Sequence, residues 1–572
     1  MILRHTRSLA LLVLVLLGVS ACASIPESSD PKAVKWVDEG NSTAPINPPP
    51  SGLDPLALVR SFVDSAAAPE SNHEAARLHL TSGAQRDWSP PAGLLIVDNV
   101  DTIPVPQPTS SPGVQVVSLQ ADKIGRLRAD QSFAPETGEY QVQVRVERRP
   151  DGQWRIAGPP PELVASRASF TGSYRPVPIY FLDHDSHGVV PDLRYVVSQP
   201  ASTLPRRVMD LLTMGPSENF RSAMGTAIPE GVHPKTNTSE AADGALEVNL
   251  SDLGDVSRET RQLIAAQVVF SLQSVSSARV RLKVEGMPML QDERDLRPTD
   301  VAAYETQGVP RPDLPGLAVV DERLVFLDPK AQPVPGPAGS GEYDVVQAGE
   351  SPDGAQLAAV TRRPGGVQLR VGHYGEHLPE LPVMGSYMSK PTWRGKSEVW
   401  TVVDGHDVVR ALDIGGNWVT GRVDASQFTG GRPIQDLRLS HDGTRAAGVI
   451  DGRIVVAGVS DHDGKVALER PMELQPPQDV RITGVEWRKN DSLVAITDSN
   501  SAPVFDVSVD GFQWTRYTSA NLGQPVKAVT VAPGGRVIVA DRSGLWESKD
   551  PDDVWSLLQV PIGGGSIPFY PG

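Results

Sequence analysis

Ser440-His441-Asp442-Gly443, followed after Thr444 by Arg445-Ala446-Ala447-Gly448-Val449, is the stretch that decides the fold. A Ser-x-Asp-Gly tetrapeptide signals a tight turn, and the short apolar run behind it reads as a buried strand. The pair recurs. Ser351-Pro352-Asp353-Gly354 precedes Gln356 to Val360, and Trp393-Arg394-Gly395-Lys396 precedes Val399 to Val402. Trp487-Arg488-Lys489-Asn490-Asp491 precedes Leu493 to Ile496, and Ala532-Pro533-Gly534-Gly535 precedes Val537 to Ala540. The positions Gly354, Gly395, Gly443, Asn490 and Gly534 lie 41, 48, 47 and 44 residues apart. A turn and strand at that period predict a β-propeller, because one small sheet cannot bury both faces alone and must stack against its neighbours. Leu317–Val320 and Leu324–Leu327 supply two further strands, and Ser566–Tyr570 can complete them from the other end of the chain. The expectation is six blades over 310–572, closed by the two ends of the domain. Trp393, Trp400, Trp418, Trp487, Trp514, Trp546 and Trp555, seven of the ten tryptophans, fall in this region and suit packing between blades.

Two smaller α+β units precede the ring. In 53–165, Leu56, Val59 and Val63 make a helical apolar face, and His73 to Leu80 reads as a second short helix. Tyr140, Val142, Val144 and Val146 then alternate with polar residues, Pro150-Asp151-Gly152 turns the chain, and Gln153-Trp154-Arg155-Ile156 returns as the partner strand. Helices first and an antiparallel sheet after, ending on Asp-Gly-x-Trp-x-Ile, resembles the nuclear-transport-factor-like cone domains of envelope proteins. In 170–295, Val177–Leu182 is a strand. Leu204, Val208, Leu211 and Leu212 form a helical stripe, with Thr203 as its cap, Pro205 in its first turn and Gly215-Pro216 at its stop. Leu246, Val248 and Leu250 alternate as a strand, Leu263–Val275 is an apolar helix, and Val280, Leu282 and Val284 alternate as a second strand. With Ile228-Pro229-Glu230-Gly231, Val248-Asn249-Leu250-Ser251 and Val284-Glu285-Gly286, this order is similar to the GerMN domain of germination and envelope proteins. The fold class expected is therefore two α+β domains, cone-like then GerMN-like, followed by an all-β propeller.

The start of the chain sets its address. Arg4 and Arg7 precede the unbroken apolar run Leu9–Leu17, and Gly18-Val19-Ser20-Ala21 leads into Cys22, the only cysteine in 572 residues. That is a signal peptide over 1–21 with a cysteine at its cleavage point. The run is too short to span hydrocarbon, which needs about 20 residues. Cys22 is the expected lipidation site, its sulfur carrying diacylglycerol and its freed amine a second acyl group. Two chains hold stably where one does not. The segment 22–52 is polar and proline-rich, a stiff tether rather than a folded unit. The 550 residues beyond Cys22 hold no cysteine, which excludes disulfides and thiolate metal sites there. The formal charge of −16 argues against nucleic acid, whose binding relies on basic surfaces, and against flat adhesion to anionic lipid.

Motifs that carry chemistry are few. Asp183-His184-Asp185-Ser186-His187 is the densest ligand-like cluster, but it follows a strand and precedes Gly188, so it reads as a solvated hairpin. Asp461-His462-Asp463-Gly464 is a turn that lacks the spacing and final glutamate of an EF-hand loop. Gly395-Lys396-Ser397 copies the end of a P-loop, yet Lys390 stands where its first glycine belongs. Ser29 and Lys32 form an S-x-x-K in the tether, where no rigid site can be built. No G-x-S-x-G elbow or H-E-x-x-H helix occurs. No catalytic set, metal site or cofactor site is expected, and the chain reads as a non-enzyme. The alternative is an envelope hydrolase or a glycan- or peptidoglycan-binding propeller, with its site in the central funnel.

Lipid site, tether, cone-like unit, GerMN-like unit and propeller, in that order, resemble the LpqB family of actinobacterial lipoproteins over essentially the whole mature chain. The resemblance implies an accessory lipoprotein on the extracytoplasmic side of the cell membrane. Its partner would be the extracytoplasmic domain of an MtrB-like sensor histidine kinase, and it would modulate two-component signalling in envelope homeostasis and division. Contact with peptidoglycan is a further expectation, and nucleic acid is not a partner. Only Cys22 carries over as a functional residue. Mass spectrometry of the mature chain is expected to find Cys22 as its first residue, acylated on both sulfur and amine; an unmodified Cys22 would refute the anchor.

Overall fold

The structure is a computed structural model and describes residues 48–89, 92–106, 112–183, 187–290, 295–306, 311–477 and 479–572. Cys22, the signal peptide, Ser29, Lys32, most of the tether and His184 to Ser186 lie outside the described residues.

The N-terminal unit begins with α1 (Pro55–Ser65), opened by Asp54, whose Oδ1 accepts from the amides of Leu56 and Ala57. Its buried face, Leu58, Val59, Phe62 and Val63, lies on the sheet. The second helix, α2 (Glu70–Arg77), starts three residues earlier than the apolar pattern predicts. The residues after it are claimed by the sheet: the amide of Ile156 donates to the carbonyl of His79, and that of Thr81 donates to Ile156. After α3 (Ser82–Asp87) come β1 (Leu94–Val105), β2 (Val114–Leu127), β3 (Phe133–Pro135), β4 (Glu139–Arg148), β5 (Trp154–Gly158) and β6 (Val164–Ser166). They are ordered β5-β4-β2-β1-β6 with β3 added on β2, so the predicted hairpin β4–β5 forms one edge.

The short helix α4 (Arg167–Ser173) leads into the middle unit, β7 (Tyr174–Leu182), β8 (Val189–Val197), α5 (Leu204–Met214), β9 (Ser239–Glu240), β10 (Leu246–Leu250), α6 (Arg258–Gln273), β11 (Val280–Val284) and β12 (Met287–Pro288). β10 and β11 are parallel, with α6 as their crossover. Thr203 stands at the start of α5 but does not cap it; its hydroxyl donates to the carbonyl of Pro200. α6 is capped by Ser257, whose Oγ accepts from the amide of Thr260. Two polar residues inside this apolar helix serve a neighbour. β7 pairs along its length with β8 and bridges Gly225 at its last residue, Leu182, while Gln267 Nε2 donates to the carbonyl of Tyr180 and Ser271 Oγ accepts its amide. Both side chains are fully buried, and the bonds satisfy a strand edge that would otherwise be orphaned.

The ring has six sheets. Five are four-stranded and antiparallel, and their first strands are Val345–Glu350, Thr392–Arg394, Ile434–Leu439, Ile482–Lys489 and Ala528–Val531. The other combines β13 (Leu317–Val320) and β14 (Arg323–Phe326) with Ile567–Phe569, so the C-terminal strand closes the ring as expected. Counting that closing sheet as the first blade, each first strand packs against the next around the ring. The repeated tetrapeptide explains the turns. Ser440 Oγ donates to Asp442 Oδ1 at 2.5 Å and accepts the amide of Arg445 at 3.0 Å, and Ser351, Asp353 and Gln356 repeat the pattern. Gly443 completes it at φ +69°, with Arg394 Cγ 2.9 Å from where a Cβ would stand. Trp393, Trp400, Trp487 and Trp555 are all buried between blades.

The three units form one compact body. The core of the middle unit is continuous with that of the fourth and fifth blades, Val177, Phe181 and Val268 belonging to one cluster with Val449, Trp487 and Phe505. A third Ser-x-Asp-Gly turn, Ser508 to Gly511, joins the third and fourth strands of the fifth blade and thrusts Phe512 into the N-terminal unit. Its ring meets Phe133 and Phe170 edge-on at 5.1 Å and Tyr195 at 5.4 Å. Asp510 Oδ2 accepts from the Tyr195 hydroxyl at 2.9 Å in the same buried spot. Phe512→Ala is expected to cost about 3–5 kcal/mol, read as a lower urea midpoint, and to open the junction to limited proteolysis.

Candidate functional site

Two features of the ring concentrate polar chemistry: its axis and the face where the first-to-second-strand turns emerge. At the axis, three first strands converge. Lys390, just before the third blade, bonds Glu486 of the fifth blade at 2.7 Å. Arg438 of the fourth reaches Asp436 at 2.9 Å and Glu486 at 3.5 Å. Burial by itself would push the Glu486 carboxyl up, but Lys390 and Arg438 overcome it and hold the group below its usual range. Burial, with Arg438 beside it, pushes the Lys390 ammonium down. Lateral bonds join the same strands: the amide of Leu439 donates to Thr392 Oγ1, and Trp487 Nε1 donates to the carbonyl of Arg438. Two cations against two carboxylates neutralise this stretch of the axis, and breaking one partner would strand the other.

On the turn face, the hairpin β7–β8 of the middle unit lies over the ring as a roof. Arg445 ties the two together. Its fully buried guanidinium donates to Asp442 and to the carbonyls of Asn490 and Pro191, and stands 4.9 Å from the Phe220 ring. Two clefts open beside this contact. One, about 670 Å³, is polar and runs over the turns of the second, third and fourth blades below Asp183 and Thr306. Within it Glu398 accepts from Trp400 Nε1 at 2.8 Å and pairs with Arg410 at 3.2 Å and Arg394 at 3.5 Å. The other, about 690 Å³, lies over the fifth and sixth blades beneath Pro178, Tyr180 and Pro191. Thr306, Arg311 and His441 border both.

The motifs singled out in the sequence take these places. Asp183 accepts from the Thr306 hydroxyl at 2.8 Å and from the His187 amide at 3.0 Å, a hairpin arrangement. Asp463-Gly464 turns between two strands of the fourth blade, and the Gly464 amide donates to Asp461. Gly395-Lys396-Ser397 is the turn between the first two strands of the third blade and lines the polar cleft. Among the described residues, no group of three His, Cys, Asp or Glu side chains is placed to hold a metal ion. The axial network was not read in advance. Its members lie at 390, 436, 438 and 486, on three different blades, and only closure of the ring brings them together.

Two family models and the curated relatives point to the same family. A model described as the lipoprotein LpqB β-propeller domain matches residues 322–571, and one described as the LpqB N-terminal domain matches 48–171. Lipoprotein LpqB of Nocardia farcinica is 32% identical over 601 aligned residues, covering 98% of each chain. That of Mycobacterium tuberculosis is 29% identical, covering 99% of this chain and 100% of its own. Among solved structures, the β-propeller domain of Myceliophteria thermophila Cps50 (Swd1) covers 37% of this chain and 70% of its own at 11% identity. Its TM-score of 0.28 carries no argument.

Glu350 ends the first strand of the second blade, beside the closure of the ring, where its carbonyl accepts the Gly572 amide. Its side chain is 3% exposed and its Oε2 has no hydrogen-bond partner. Burial, then Asp353, raises the carboxyl from 4.5 to about 8. The folded protein therefore keeps a proton that the unfolded chain releases, so stability falls as pH rises from 4.5 to about 8 and levels off above. Glu350→Gln is expected to flatten that limb: its melting temperature should gain on the wild type steadily over this range. Parallel profiles would show that Glu350 does not titrate as its burial dictates.

Proposed function

The chain belongs to the LpqB family of lipoproteins, and from that premise we propose that it is a lipid-anchored protein-binding factor acting outside the cytoplasm. In this reading it binds the extracytoplasmic domain of an MtrB-like sensor kinase and tunes two-component signalling in envelope homeostasis and division. Membership makes it a membrane-anchored lipoprotein, and Cys22 is where the acyl chains attach. Among the described residues no helix is long and apolar enough to cross a membrane. The observation that carries the reading is that residues 48–572 pack as one body. Such a body presents fixed surfaces and loses little freedom when a partner docks.

Hydrolysis at the axis is the poorer reading. A glycosidase-type acid must carry a proton at working pH, whereas Lys390 and Arg438 hold the Glu486 carboxyl below its usual range.

Because the middle unit shares its core with the ring, deleting 315–572 would expose apolar surface, so the test uses the full chain. The sensor domain of the kinase is expected to co-purify with the detergent-solubilised lipoprotein. Adding that lipoprotein to vesicles holding the kinase should change its autophosphorylation rate. Cys22→Ser should keep the binding in solution and lose the effect in cells. A sensor domain that neither co-purifies nor changes the rate would refute the proposal.

A further inference from the structure

The cleft of about 690 Å³ between the roof and the fifth and sixth blades is of ligand size and lies at a junction of units, where binding sites concentrate. One side is flat and apolar: Pro178, Tyr180 and Pro191 above, Pro533 below. Tyr180 is a fixed platform. Its ring packs on Phe270 at 5.4 Å, and its backbone is held by Gln267 and Ser271. The other side carries hydrogen-bonding groups. Burial, then the nearby carboxylates of Glu305 and Asp491, push the Tyr180 phenol up to about 12 against a hydrogen bond with Gln273. Asn490 lines the same wall, and its Oδ1 makes no hydrogen bond. Such an atom is unfavourable while unsatisfied, and a ligand hydroxyl relieves it once the amide turns toward the cleft.

From this juxtaposition we infer that the cleft binds a saccharide, its C–H face on Tyr180 and the prolines, its hydroxyls on Asp491 and Asn490. Carboxylates and amides are acceptors that match hydroxyl donors. Arg311, Arg488 and Lys489 line the same cleft as Glu305 and Asp491, so its charge is mixed, and an acyl chain would offer these groups no partner. The polar cleft continues past Thr306 and His441, which leaves room for several linked sugars. The inference is independent of the kinase reading, since a saccharide here and a protein elsewhere on the body are compatible.

The probes are chitotetraose and maltotetraose, titrated calorimetrically into the detergent-solubilised full chain. Saturable binding of either is expected, weakened at least about tenfold by Asp491→Ala and by Pro533→Trp, which fills the cleft. Asp491→Asn replaces either variant that lowers the melting temperature. A wild type that takes up neither probe at millimolar concentration overturns the inference. Binding that both variants leave unchanged places the sugar elsewhere and overturns it equally. An apolar peptide that binds with sensitivity to Pro533→Trp, where the sugars do not, would assign the cleft to protein instead.

Discussion

One inserted side chain makes three units into a single body. Phe512 leaves the fifth blade and buries its ring among Phe133, Phe170 and Tyr195, which come from the N-terminal unit, the connecting helix and the roof. Arg167 stands over the same ring at 5.6 Å. Aromatic pairs of this geometry contribute beyond the area they bury. The turn that delivers Phe512 is held by its own Asp510, which accepts from Ser508 Oγ on one oxygen and from the Tyr195 hydroxyl on the other. A turn motif that elsewhere only reverses a blade strand is here the junction between units. The buried pair Arg194 and Asp192 extends it, since Arg194 also donates to the carbonyl of Asp130 in the N-terminal unit.

Charge is managed in the same way. An acidic chain would pay heavily for carboxylates gathered at a ring axis, yet Glu486 and Asp436 lie there paired with Lys390 and Arg438. That neutrality suits an axis that holds blades in register. The polar cleft follows the same rule, with Glu398 shared by Arg394 and Arg410. The other cleft is mixed in charge: Asp491 and Glu305 lie near Tyr180, with Arg311, Arg488 and Lys489 in the same lining.

Much of the ring was legible because its signals are local. A tight turn leading into a short apolar strand is written in a few consecutive residues and recurs from blade to blade, and in the second and fourth blades a Ser oxygen bonding an Asp two residues on, followed by a glycine at positive φ, holds it. Closure by Ile567–Phe569 was readable for a related reason, since two strands without their inner partner needed a third. Local signals also misled. The apolar spacing places the second helix at His73 to Leu80, but the sheet takes Leu80, and Thr203 has the right residue type for a cap while its hydroxyl turns to Pro200. Gln267 and Ser271 look like polar interruptions of an apolar helix, and their purpose appears only with β7 alongside.

By itself the sequence determined what depends on near neighbours: the helix and strand periods, the turn chemistry, and so the order of units and the blade count. Tertiary structure alone decided which side chains meet across the chain. Tyr195 finds Asp510, 315 residues away; Arg445 finds Pro191, 254 residues away; Lys390 finds Glu486. No spacing rule encodes such pairs, because the chain between their members can take any length once the ring and roof fix where its ends lie. The candidate site is made of contacts of this kind. Its parts were visible in the sequence, and their arrangement came from packing.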